Sequence, residues 1–174
     1  MPNHPALARA GTFCETHNLR IPILMAPMGS VSPTSLAIAV ANAGGLGGCG
    51  AVVMQPDAIR AWASDVRAGS NGGFQLNLWI PDPAPKRNLT AEDTVRDFLR
   101  HWGPEVAREA GNFTLPDFNA QCEALLEAGP PIISSIMGLY PDHFVTRMKA
   151  KGVKWFATAT TVTEAKEAED AHRH

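Results

Sequence analysis

Apolar residues fall in short blocks separated by turn-formers, and the blocks alternate between strand-like runs and helix-like periods. Residues 21–26 (IPILMA) form a continuous apolar run stopped by Pro27, the pattern of a buried strand. Residues 28–32 are a loop containing Gly29. Ser32 is placed to cap, and Pro33 to open, a helix over 33–43 that Gly44 and Gly45 stop. A second apolar segment at 46–50 precedes a helix over 56–68, closed by Gly69. Residues 74–79 (FQLNLW) read as a further strand. Pro81, Pro83 and Pro85 make 80–89 a surface loop. Thr90 with Asp93 resembles a capping box and predicts a helix to about Trp102. Beyond it the pattern predicts a helix over 116–128 ended by Gly129, a strand at 132–136 and a helix over 141–150. A strand at 153–157 and a last helix from about Thr163 complete the series.

The unit of strand, loop, helix and glycine therefore repeats five times. Strands that are apolar on both faces need cover on both, and intervening helices supply it through right-handed crossovers in a parallel sheet. Small or functional residues gather at the strand ends: 26–29, 48–50, Asn77, Ser134, Ser135 and Thr158. That rim suits a (β/α) barrel, with a doubly wound open sheet as the alternative. The class is α/β, and the length suggests one domain over residues 1–174.

Composition narrows the functions. The chain of 174 residues is 45% hydrophobic and 18% charged with a net charge of −2, which excludes intrinsic disorder. Neither half carries a basic run, so nucleic acid is not an expected partner. No apolar stretch approaches the roughly 20 residues that span a bilayer, and Pro and His interrupt residues 1–10 where a signal peptide needs an apolar core. The expected setting is the cytoplasm, with no membrane partner. Cys14, Cys49 and Cys122 are far apart, and no Cys/His spacing suits a metal. His172 and His174 read as an exposed tail.

Individual residues carry different weight. The glycines of 44–50 follow a helix rather than open one, which fits a helix stop and a tightly packed strand better than a phosphate cradle. Asn77 sits between Leu76 and Leu78, and a buried amide must find partners. Either a neighbouring loop satisfies it, or it offers a donor and an acceptor together to a flat heterocycle. Gln75 shares its face if the strand is regular. Met28, Phe74 and Trp79 could line a ligand but are expected in the core. Cys49 is expected to be an inert buried thiol, and His101 and His143 to be surface residues.

The segment PILMAPMGSVSPTSLAIAVANAGGLGGCGA, residues 22–51, closely resembles the opening of the nitronate monooxygenases, formerly called 2-nitropropane dioxygenases. The likeness continues through FQLNLW at 74–79, the serine-containing strand within 131–138 and VKWFATATTVTEAKEAEDA at 153–171. It implies an FMN-dependent (β/α)8 TIM barrel, here an incomplete one of about five β/α units. By this resemblance Ala26, Pro27, Met28 and Gly29 place backbone groups against the flavin, Asn77 hydrogen-bonds it, and Ser134 matches a family serine. The implied reaction is the oxidation of alkyl nitronates with dioxygen to a carbonyl compound and nitrite.

The family's catalytic histidine, in a Glu-Ala-Gly-Gly-His motif, and its glycine loops for the FMN phosphate belong to a continuation beyond residue 174. No catalytic residue is therefore assigned here, and neither His172 nor His174 takes that role. Two alternatives stand beside this reading. One is an FMN- and NADH-dependent enoyl-thioester reductase of the same superfamily. The other is an inactive partial barrel acting as a binding or assembly module. Five strands in place of eight predict open sheet edges, so that the chain either pairs with a second copy or a complementary fragment or is marginal and aggregates.

Overall fold

A computed structural model describes residues 5–70, 72–83 and 86–173; His174 and residues 1–4 lie outside it. The described residues fall into two compact units, one within residues 5–81 and 116–173 and one within residues 82–115.

The first unit opens with helix α1 (Pro5–His17), which the hydrophobic pattern did not predict. The segment at 21–26 is not a regular strand. It touches β1 (Gly47–Gly50) through two isolated parallel bridges, Leu24 with Leu46 and Gly29 with Gly50. Pro22 and Pro27 lack the N–H groups a continuous ladder needs, so the pairing is broken. Ile23 and Leu24 are exposed and only Met25 is buried, contrary to the expected buried strand.

Helix α2 (Thr34–Asn42) lies between that segment and β1, and Gly44 at φ 94° ends it in the left-handed region, where glycine fits without strain. The Ser32 cap does not form: Pro33 takes the cap position with no side-chain bond. Helix α3 (Pro56–Gly69), strand β2 (Phe74–Trp79), helix α5 (Phe118–Ala128), strand β3 (Ile132–Ile136), helix α6 (Asp142–Ala150), strand β4 (Lys154–Ala157) and helix α7 (Val162–Arg173) follow. Helix α4 (Leu89–Leu99) belongs to the second unit. Asp117 caps α5 by accepting from the Ala120 N–H, and Gly129 closes it at φ 57°.

The four strands are parallel and ordered β1-β2-β3-β4, each pairing with the next in sequence. Gly50 stands opposite Asn77, Asn77 opposite Ser134, and Ser134 opposite Phe156. A doubly wound sheet reverses its strand order, and this one does not, which selects the barrel class. The result is an incomplete α/β barrel. Phe74, Leu76, Leu78 and Ile133 pack with Ile59, Val66, Leu125, Phe144 and Met148 from the crossover helices. Leu46 and Ile132 form a second cluster with Cys14 and Leu19, against which Phe13 and Phe156 pack. Helix α1 thus covers apolar residues at the N-terminal ends of the strands. Lys154 extends this contact by donating to the Thr16 carbonyl at 2.5 Å, in the last turn of α1 where a cation opposes the helix dipole.

The second unit contains α4 (Leu89–Leu99) and a 3-10 turn (Arg108–Asn112). The predicted Thr90–Asp93 capping box is not made. Asn88 is the cap instead, accepting from the Ala91 N–H at 3.1 Å. Asp93 is drawn into ion pairs with Arg96 and Arg108, and Glu92 pairs with Arg87. These hydrogen-bonded partners hold both carboxyls below the usual carboxylate range. No described helix is long and apolar enough to cross a membrane.

Candidate functional site

Side chains alternate along a strand, so Gln75, Asn77 and Trp79 share one face of β2 while Phe74, Leu76 and Leu78 point into the helix-packed core. Register then decides their neighbours: Ile132, Ser134 and Ile136 of β3 lie opposite on the same face. The Asn77 Nδ2 donates to Ser134 Oγ at 3.0 Å. The Ser134 hydroxyl donates to Gln75 Oε1 at 3.0 Å, and Gln75 Nε2 donates to the Met25 carbonyl at 3.1 Å. All three side chains are buried, Asn77 to 4% exposure. The amide thus has a neighbour that satisfies part of it, though that neighbour is a strand serine rather than a loop.

The satisfaction is incomplete. Among the described residues Asn77 makes no other side-chain hydrogen bond, so its Oδ1 and its second N–H are unspent. The one described polar side-chain atom both sealed from solvent and unpartnered is His17 Nδ1, so Asn77 Oδ1 keeps an opening. A planar heterocycle carrying an N–H beside a carbonyl would match that acceptor and donor, which is the edge a flavin ring presents.

The loop at 26–29 reaches the same place from the other side of β1. A Cβ on Gly50 would lie 2.8 Å from the Gly29 nitrogen and 3.0 Å from the Met28 carbonyl carbon. On its far side Gly50 pairs with Asn77, whose carbonyl accepts from the Ala51 N–H at 2.8 Å. Ala26, Pro27, Met28 and Gly29 are therefore separated from Asn77 by the width of one glycine strand. The tight packing expected of the glycine segment is present. A Cβ at Gly48 would stand 2.5 Å from the Met25 carbonyl oxygen.

The loop itself is held from within. Ser32 Oγ accepts from the Met28 N–H at 3.1 Å and donates to the Met28 carbonyl at 2.8 Å, while the Trp62 indole donates to the Ser32 carbonyl at 2.9 Å. Both Met28 backbone groups are thus occupied, and the Met28 side chain is turned outward at 37% exposure. Of the expected backbone set, Ala26, Pro27 and Gly29 remain to face a ring.

Two residues expected in the core are not there. Trp79 is 52% exposed, two positions beyond Asn77 on the same face, and Met28 is the second. Phe74 is buried as expected. Gln121 of α5 was not singled out from sequence. It donates to the carbonyls of Ala51, Val52 and Met54 and fixes the loop that follows β1. A cleft of about 500 Å³ opens there, lined by Met28, Ser32, Cys49, Met54 and Trp62 among others. A second of about 500 Å³ lies beyond β3 and β4, with Met137, Thr158 and Glu164 in its walls. A third cavity, of about 670 Å³, belongs to residues 86–111 and contains none of the expected site residues.

His101 and His143 are exposed, as expected. Cys14, Cys49 and Cys122 are free and buried. Burial pushes the Cys49 and Cys122 thiols up to about 12. Since the thiolate is the nucleophile, iodoacetamide at pH 8 is expected to label neither residue in the native chain, whereas all three cysteines label in urea. Rapid native alkylation of Cys49, read by peptide mass, would contradict its inert role. No described group of His, Cys, Asp or Glu is arranged to hold a metal ion.

The sequence model of the nitronate monooxygenase family matches residues 12–172. The chain is 31% identical over 156 residues to a nitronate monooxygenase of Paraburkholderia phytofirmans, covering 86% of this chain and 42% of that protein. It is 30% identical over 158 residues to one of Pseudomonas aeruginosa, covering 88% and 45%. The chain spans less than half the length of these relatives. Among solved structures it resembles a nitroalkane oxidase of Streptomyces ansochromogenes at TM-score 0.72 and 28% identity, covering 91% of this chain and 46% of that one. FabK of Thermotoga maritima, as its M276A variant, superposes at TM-score 0.66 and 21% identity over 92% of this chain and 42% of that one, a likeness of fold.

Proposed function

The chain belongs to the nitronate monooxygenase family, and from that premise we propose that it forms part of an FMN-dependent oxidoreductase acting on alkyl nitronates. Dioxygen is the co-substrate, and a carbonyl compound and nitrite are the products. The observation that carries this reading is the half-satisfied carboxamide of Asn77, at the C-terminal ends of parallel strands and one strand away from the 26–29 loop. Parallel barrels place their chemistry at that end. Residues 1–174 are taken as part of one FMN-binding barrel domain, with 82–115 an excursion from it.

The bound flavin would supply the electron-transfer chemistry. The chain's own residues hold and orient. Asn77 meets the polar edge of the ring, and Ser134 supports Asn77 from behind. Ala26, Pro27 and Gly29 bring backbone against the ring, with the Met28 thioether beside them. The exposed Trp79 indole supplies an apolar wall on the face that Asn77 shares. Three free buried thiols support a reducing compartment, in keeping with the cytoplasm.

Oxygen uptake and nitrite release with propyl-2-nitronate, measured on the FMN-loaded protein, test the reading. Nitrite formed in proportion to oxygen consumed supports it. NADH oxidation driven by an enoyl thioester, with no nitronate turnover, would replace it with the reductase. Absence of both activities and of bound FMN would leave the binding-module alternative.

A further inference from the structure

Four groups form one hydrogen-bonded chain from the residue before the 26–29 loop to β2, across to β3 and back to β2: the Met25 carbonyl, Gln75, Ser134 and Asn77. Only the first has a fixed hydrogen-bonding sense, since a backbone carbonyl accepts and never donates. That one constraint propagates. Gln75 must present Nε2 to Met25, because the reversed amide would set two acceptors 3.1 Å apart. Its Oε1 therefore faces Ser134 and needs a donor, so the single hydroxyl proton of Ser134 is spent there. With that proton committed, Ser134 Oγ can only accept from Asn77, so Asn77 must present Nδ2. Its Oδ1 is left as the acceptor facing away from Ser134. The Asn77 main chain cannot substitute, because its carbonyl is already bonded by the Ala51 N–H.

We infer that Gln75 and Ser134 are positioning residues: a one-way hydrogen-bond relay anchored on the Met25 carbonyl sets the polarity of Asn77, so that the bound ring must present an N–H to Asn77 Oδ1. This rests on the flavin reading above, and it assigns the imide N3–H as the group Asn77 meets. The relay also couples the loop to the amide. A displacement of Met25 loosens Gln75, then Ser134, then Asn77, although Asn77 and Met25 are 52 residues apart in sequence.

An acceptor bonded to the N3–H stabilises its protonated form, and a donor there would do the opposite. The test is an absorbance titration, towards alkaline pH, of FMN bound to the full chain, alongside FMN affinity. The wild-type complex is expected to lose the N3 proton about one pH unit above free FMN. In Ser134→Ala and Gln75→Leu the amide is free to turn over. The titration should return to the free value, and affinity should fall about tenfold. Ser134→Thr keeps the hydroxyl and should keep the raised titration. A packing defect alone would weaken binding without moving the titration of the ring. Bound FMN that titrates at or below the free value in the wild type overturns the relay while leaving the flavin reading intact. The same holds if both variants keep the raised value. Failure of FMN to bind the whole oxidoreductase of which this chain forms part overturns both.

Discussion

Gly48→Ala is expected to lower the urea midpoint of unfolding by about 1–2 M, from an overpacking cost of about 3 kcal/mol and a slope of about 2 kcal/mol per molar. The new methyl would lie 2.5 Å from the Met25 carbonyl oxygen, with Gln75 Cγ at 3.5 Å on another side. Neither backbone is free to yield. Met25 donates to the Leu46 carbonyl at 2.8 Å, and Leu46 donates to the Ile23 carbonyl at 2.9 Å. Relief therefore requires breaking these bridges or separating β1 from β2. A displaced Met25 also loses its bond to Gln75, so damage at a bare glycine reaches the candidate site. Gly11→Ala is the control of opposite sign. A Cβ there meets nothing within 4 Å in the interior of α1, and removing a helical glycine should stabilise by about 0.5–1 kcal/mol. Equal midpoints for the two variants would show that the close approach of Met25 to Gly48 does not occur in solution.

Strands β2 and β3 and helix α3 were legible because their signals are local and redundant. An apolar run with turn residues on both sides, or a proline start with a glycine end, specifies the element before any packing is considered. Helix α1 was not legible because its partners Leu46 and Ile132 lie far along the chain. The segment at 21–26 failed for the opposite reason. Its composition is that of a strand, but Pro22 and Pro27 remove donors from the ladder, and Ile23 and Leu24 remain exposed. Local capping signals fail where a competing partner wins. Ser32 bonds back to Met28, and Asp93 is held by arginines.

For the site, alternation along β2 was enough to put Gln75, Asn77 and Trp79 on one face. What stands opposite them depends on the β2–β3 register, and the two strands are separated by a helix and the whole 82–115 unit. No sequence period encodes that pairing, so the bond from Asn77 to Ser134 could be read only from the fold. The exposure of Trp79 is illegible for the same reason, since an indole at the end of an apolar strand looks like core until its neighbours are known. Gln121 belongs to this class as well. A glutamine on a helix looks solvated, yet here it is 3% exposed and holds three carbonyls of a loop about 70 residues earlier.

Asn77→Ala is expected to weaken FMN binding about five- to a hundredfold, equivalent to roughly 1–3 kcal/mol for a ring edge left without its partner. The fold should tolerate the change far better than the ligand does. Ser134 still donates to Gln75 and Gln75 still donates to Met25, so truncation removes the last member of the chain without orphaning the others' protons. The backbone bond from Ala51 to Asn77 is also indifferent to the side chain. Thermal unfolding of the ligand-free variant should therefore shift by only the few degrees that about 1 kcal/mol produces in a domain of this size. A large loss of affinity with a small loss of stability separates a ligand contact from a core amide, because a core amide would show the reverse. Unchanged affinity together with an unchanged flavin spectrum would mean that Ser134 is the only partner Asn77 needs, and that the ring is held elsewhere.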